Sequence, residues 1–298
     1  MAVRLDRSQF GSSRKVNSEQ KDQIAGLFDA ESDRLSAGKK LLNKRHPAYL
    51  QVTALLNRAR EVWITSTLPY PEAGMRLIRR SAVEDFVAKM QTIRAQLQAA
   101  VSELEAVYQS ELIPDARQRL GRLFNASDYP LELRGEFDVQ WSFASVDPPE
   151  YLRNISPKLY EAEQERVRAR FSEAVALAEQ AFMEEFAKAV ANLTERLTPG
   201  PDGKAKVFRD SAIGNLDEFF SRFSALNIGS NPDLDALVEQ AKNSIKGVDA
   251  GILRTDVSAR DEIRAAMQEM TKQLDAMQID RPKRKIVLAQ SEDKPEAA

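Results

Sequence analysis

AVEDFVAKMQTIRAQLQAAVSELEAVYQSEL, residues 82–112, sets the fold class. Within it Phe86, Met90, Ile93, Leu97, Ala100, Leu104 and Val107 recur at alternating intervals of four and three. On a helix that spacing gathers them into one apolar stripe, with charged and polar residues on the opposite side. The pattern is heptad-like and predicts a long amphipathic helix that buries one face. Pro114 stops or kinks it, because proline lacks an N–H and its ring crowds the preceding turn. A shorter helical piece is expected to continue to about Phe124.

A second long helix is predicted over residues 157–197. Its stripe is Val167, Phe171, Ala174, Ala178, Phe182, Phe186, Ala189 and Leu193, and Ser156 before Pro157 forms an N-cap and N1 pair. The Pro- and Gly-rich run Thr198–Gly203 ends it. Two rods with matching stripes predict a long antiparallel helical hairpin. Before them, Pro47 opens a helix with Tyr49, Val52, Leu55, Leu56, Ala59 and Trp63 at helical spacing, and Ser18 begins a weaker pattern with Ile24, Leu27, Phe28, Leu35, Leu41 and Leu42. After them come shorter helical segments at about 216–226, 232–246 and 258–277.

One region changes period. Phe137, Val139, Trp141 and Phe143 alternate with Asp138, Gln140 and Ser142, the signature of a half-buried strand. This gives a small antiparallel β insertion near 129–147, for which Leu131–Leu133 is a candidate partner strand, closed by Pro148-Pro149. The expected organisation is therefore mainly α: a flexible amino-terminus over 1–18, a helical core over 19–198 with the β insertion, a helical region over 199–280 and a charged tail over 281–298.

Composition narrows the function classes. The 298 residues are 43% hydrophobic and 30% charged, enough for a core under a solvated surface. There is no cysteine, which excludes disulfides, thiolate metal sites and cysteine nucleophiles. His46 is the single histidine, so a multi-histidine metal centre is ruled out. No Walker-type loop, dinucleotide-binding glycine motif or nucleophile elbow occurs. The opening residues contain no apolar run of a signal peptide, and no stretch approaches the roughly 18 apolar residues of a membrane helix. The expectation is a cytoplasmic protein without membrane association, catalytic residues, metal or cofactor.

Charge is distributed unevenly. Residues 1–80 hold 15 Lys/Arg and 8 Asp/Glu, whereas the remainder holds 28 and 37. A basic front on an acidic body can dock nucleic acid or an acidic partner. The candidate contact residues are Lys39, Lys40, Lys44, Arg45, Arg76, Arg79 and Arg80, with Arg58 and Arg60 between them, and Lys283, Arg284 and Lys285 in the tail. Each group has a structural alternative: pairing with the acidic helices for the front, an ordinary terminus for the tail. The acidic clusters Asp29/Glu31/Asp33, Glu161/Glu163/Glu165 and Glu184/Glu185 point around their helices rather than to one spot, and are read as solvated ion-pair partners.

Three stretches carry a resemblance. Leu68-Pro69-Tyr70-Pro71-Glu72 through Gly74–Ile78 is one. Gly121–Asn125 with Asp128-Tyr129-Pro130 is the second. Phe137–Phe143 with Pro148-Pro149 and Tyr151-Leu152 is the third. Over about residues 40–160 they resemble an uncharacterised family of phage and bacterial proteins. Some of its members are encoded beside MoxR-type AAA+ ATPases and von Willebrand factor A-like proteins. The resemblance implies an adaptor or accessory component of a remodelling machine, whose partner is such an ATPase or von Willebrand factor A-like protein. Nucleic-acid binding in phage DNA metabolism, and a structural or virion-associated protein that self-assembles through the heptad stripes, remain open beside it.

Overall fold

A computed structural model describes residues 1–199, 211–248 and 250–279. The chain is mainly helical with a small antiparallel sheet, and divides into two compact units, Met1–Ala178 and Glu179–Ala298. The division falls inside a helix, α6 (Pro157–Leu197), rather than at the Pro- and Gly-rich break that follows it.

In the first unit the amino-terminus is not a frayed segment. Ala2–Ser8 forms β1, an inner strand of a four-stranded sheet whose other members are β4 (Leu68–Pro69), β5 (Met75–Leu77) and β6 (Asp138–Ala144), in the order β4-β5-β1-β6. All its pairings are antiparallel. Val3, Leu5 and Arg7 stand opposite Phe143, Trp141 and Val139, on the packed face. Arg4 and Asp6 stand opposite Ser142 and Gln140, on the polar face. Only Val3 and Leu5 betray the alternation, too brief a pattern beside three charged neighbours to read as a strand. The alternating run at 137–143 is β6, as its period predicts. Its partner is β1, however, and not Leu131–Leu133: Leu133 is buried in the core while Leu131 is exposed.

Ser13–Lys15 (β2) and Gly38–Lys40 (β3) pair as a separate antiparallel ribbon. Between them α1 (Ser18–Gly26) begins at Asn17, whose side chain accepts from Gln20 N–H in a capping box. The helix stops after nine residues, so the apolar face expected to run on to Leu42 does not form. Leu27 and Phe28 are 79% and 76% exposed, whereas Leu41 and Leu42, just after β3, are buried in the core.

The helical hairpin of this unit is built from α2 (Pro47–Thr65) and α3 (Val83–Val107). Tyr49, early in α2, meets the ring of Phe137, and Trp63, near its end, donates to Val3 carbonyl oxygen. Phe86, early in α3, meets Phe143, and Arg94, further on, reaches Asp138. Since Val3 pairs with Phe143 and Ser8 with Asp138, the two helices cross the sheet in opposite directions. The stripe Phe86, Met90, Ile93, Leu97, Ala100 and Leu104 is buried against Val52, Leu56 and Ala59 of α2 and Val3 and Val139 of the sheet. The pairing of the two longest helices expected from the sequence is thus not how this stripe is buried: their repeats match, but α2 supplies one of the same period with a shorter connection. A π-helical turn at Tyr108–Leu112 carries α3 into α4 (Ile113–Leu120), with Pro114 in its first turn.

After β6 comes α5 (Tyr151–Ile155) and then α6. The second unit takes up the end of α6 and holds α7 (Ser211–Leu226), α8 (Pro232–Ser244), α9 (Ala250–Thr255) and α10 (Val257–Ile279). Its centre is aromatic. Phe186 stacks on Phe219 at 5.0 Å, Phe182 meets Phe223 edge-on, and Phe220 leans on both Phe186 and Phe219. The ion pair of Arg222 with Glu185 lies beside this cluster, and Asn231 caps α8 by accepting from Leu234 N–H at 3.0 Å.

Candidate interaction surface

The basic residues of the amino-terminal region do not form one face. Lys39, Lys40, Lys44 and Arg45 precede α2, while Arg76, Arg79 and Arg80 follow it; the 19 residues of that helix separate the groups by about 28 Å at 1.5 Å per residue. Each group also has a member with a structural role: Lys39 is buried and Arg76 is half-buried.

Lys39 is buried. Its Nζ lies 2.6 Å from Asp128 Oδ2 and donates to Leu123 carbonyl oxygen at 2.8 Å. This ion pair is one fastening of a clasp that holds residues 121–137 onto the hairpin. Tyr129 hydroxyl donates to Leu41 carbonyl oxygen at 3.0 Å, and Tyr108, in the π turn, donates to Pro130 carbonyl oxygen at 3.1 Å. Glu105 accepts from Leu133 N–H at 2.6 Å. Phe124 stacks on Tyr129 and lies under the guanidinium of Arg117. Burial and the charge of Asp128 push Tyr129 up to about 12. Burial, with Tyr129, Glu105 and Glu136 nearby, raises Tyr108 further. Both phenols therefore stay protonated as donors across the ordinary pH range, a state suited to fastening and not to nucleophilic or base chemistry.

Arg76 has an equally structural post. Its Nε donates to Thr67 Oγ1 at 2.7 Å, and its Nη2 donates to the carbonyl oxygens of Thr67 at 3.0 Å and Ile64 at 3.4 Å. The guanidinium also lies 5.6 Å from the centre of the Trp63 ring. It closes the carboxyl end of α2, where orphan carbonyls and the negative end of the helix dipole favour a cation. Arg79 and Arg80 are exposed just before α3. Lys283, Arg284 and Lys285 lie outside the described residues.

What remains before the other end of α2 is a set of exposed basic residues. Lys40, Lys44 and Arg45 are exposed. The ribbon adds two cations that the sequence reading passed over. Arg14 stands opposite Lys39 across the β2–β3 pair, and Lys15, opposite Gly38, shares a face with Lys40; both Arg14 and Lys15 are exposed. The adjacent helix begins with Pro47, has no acidic residue in its first turn, and its N-cap residue His46 makes no side-chain cap hydrogen bond. The positive end of the helix dipole and the side-chain charges therefore add rather than cancel. His46 itself is turned toward Glu111, with Nε2 3.6 Å from Oε2. Among the described residues no group of three or more acidic or histidine side chains is arranged to hold a metal ion, and no helix is long and apolar enough to cross a membrane.

No protein-family model, curated protein or solved structure matches this chain.

Proposed function

We propose that this is a non-enzymatic interaction protein that docks an acidic partner on the basic end of its first unit. The observation that supports this reading is the exposure of Lys15, Lys40, Lys44 and Arg45 on the ribbon and the segment that leads into the uncapped start of α2, where nothing in the first turn of the helix neutralises them. Lys39, which is buried, and Arg76, whose guanidinium is engaged at the end of α2, are left out of this surface because their charges hold the unit together. On the family resemblance, the partner is an AAA+ ATPase of the MoxR type or a von Willebrand factor A-like protein, and the chain acts as its adaptor.

The test is affinity purification from the native cell at low and high salt. Wild-type protein retains a protein partner at low salt and releases it as screening increases. Reversal of Lys15, Lys40, Lys44 and Arg45 to Glu removes that partner, whereas reversal of Arg79 and Arg80 does not. Retention unaffected by salt or by the fourfold reversal overturns the docking site. A gel shift of duplex DNA at low salt, lost steeply as salt rises and lost on the same reversal, would assign the surface to nucleic acid instead.

A further inference from the structure

The amino-terminal half of α6 is unusual within the first unit. From Pro157 to Glu173 not one residue is buried, although Tyr160, Val167 and Phe171 form an apolar stripe with Gln164 at intervals of four, three and four. Phe171 meets the ring of Tyr70 at 6.4 Å yet is 36% exposed. The stripe is only half covered by its own chain, so a helix of this length retains a seam to bury.

The charges beside that seam have an order. Glu161, Glu163 and Glu165 are followed immediately by Arg166, Arg168 and Arg170. Reverse the helix about the point between Glu165 and Arg166, and each acid falls on an arginine: Glu165 on Arg166, Glu163 on Arg168, Glu161 on Arg170. The same reversal puts Tyr160 on Phe171 and Gln164 on Val167. A helix whose charge pattern is inverted by its own two-fold rotation complements a second copy laid against it in the opposite direction.

We propose that this segment is a self-association site, at which two copies of the chain pair antiparallel through the seam Tyr160–Phe171. In heptad terms Tyr160 and Val167 take d positions, and Gln164 and Phe171 take a positions. Flanking e residues are then Glu161 and Arg168, and flanking g residues Glu163 and Arg170. An antiparallel pair brings e against e and g against g, so Glu161 meets Arg168 of the second copy and Glu163 meets its Arg170, twice over by symmetry. A parallel pair brings g against e and satisfies Glu163 with Arg168 while leaving Glu161 and Arg170 without opposite charges. Within one chain Glu163 pairs with Arg166, an exposed contact three residues along the helix that competes only weakly. The seam extends about 17 Å between Tyr160 and Phe171, so the association is a weak, reversible one.

Sedimentation equilibrium of the full chain through the micromolar range tests this. Wild type passes from monomer to dimer, and salt weakens the dimer. Glu161→Arg with Glu163→Arg makes all four flanks basic; Arg168→Glu with Arg170→Glu makes them all acidic. Each double variant weakens self-association by at least about tenfold. Mixing the two restores a heterodimer, and combining all four changes in one chain restores the homodimer. The rescue separates lost pairing from lost folding. Direction is read by cysteine pairing against a background without cysteine: Gln164→Cys protein forms a disulfide with Val167→Cys protein in preference to itself. A chain that stays monomeric through the range, a dimer indifferent to the charge reversals, or preferential self-linking of Gln164→Cys overturns the proposal.

Discussion

Arg76 combines three fastenings in one side chain: two carbonyl oxygens at the end of α2, the Thr67 hydroxyl and the Trp63 ring. Its replacement by leucine leaves those acceptors without their donor and costs about 1–3 kcal/mol, measured by urea unfolding. Arg80→Leu, at an exposed position, stays within about 0.5 kcal/mol of wild type. Nothing in the run Arg76–Arg80 distinguishes the two residues, because capping depends on where α2 ends and β5 returns. Tyr129 gives the unit an alkaline limit. Its folded pKa of about 12 stands above the roughly 10 of an unfolded tyrosine. Its contribution is complete below pH of about 10 and is lost as the pH rises through about 12. Tyr129→Phe flattens part of that loss in a pH series of unfolding midpoints. Asp138 acts at the acid side. Burial works to raise its pKa, but hydrogen bonds from Gln140, Arg94 and Val139 N–H, with the charge of Arg94, prevail and lower it. Its contribution is present above about pH 4 and is lost as the pH falls through the folded value, so Asp138→Asn reduces the acid dependence of stability.

At the scale of elements, periodicity told most where an element is long and one-sided. The stripes of α2 and α3 and the alternation of β6 lie in the structure where their spacing places them, because each buries one face and water selects for that face. Partner choice was not legible. A heptad repeat specifies that a face is to be covered and leaves open by what, which is why α3 could be matched to α6 on paper and pairs with α2 in space. The strand β1 was missed because Arg4, Asp6 and Arg7 mask two inward apolar residues. The basic group was half visible: Lys40, Lys44 and Arg45 stand in the sequence as a cluster, but Lys15 joins them only through the β2–β3 register. Because β1 is bonded on both sides, removal of residues 2–8 leaves β5 and β6 without a common neighbour. Far-UV circular dichroism and proteolysis of that truncation are expected to show loss of the first unit's structure, whereas a tail that merely frays would leave both unchanged.

At the scale of the molecule, two units with separate cores respond separately to core damage. Leu97→Ala creates a cavity under α3 and costs about 2–5 kcal/mol, and Phe219→Ala costs a similar amount in the aromatic cluster. Hydrogen exchange is expected to accelerate within residues 1–178 for the first change and beyond residue 179 for the second; acceleration of the whole chain by either would mean one cooperative block. The inner position of β1 also bears on synthesis. During synthesis β1 must wait for β5 and then for β6, at residues 138–144, before its last ladder can close. The strand therefore keeps one unpaired edge throughout the synthesis of the segment between β5 and β6, and the sheet sets only after the α2–α3 hairpin has been made.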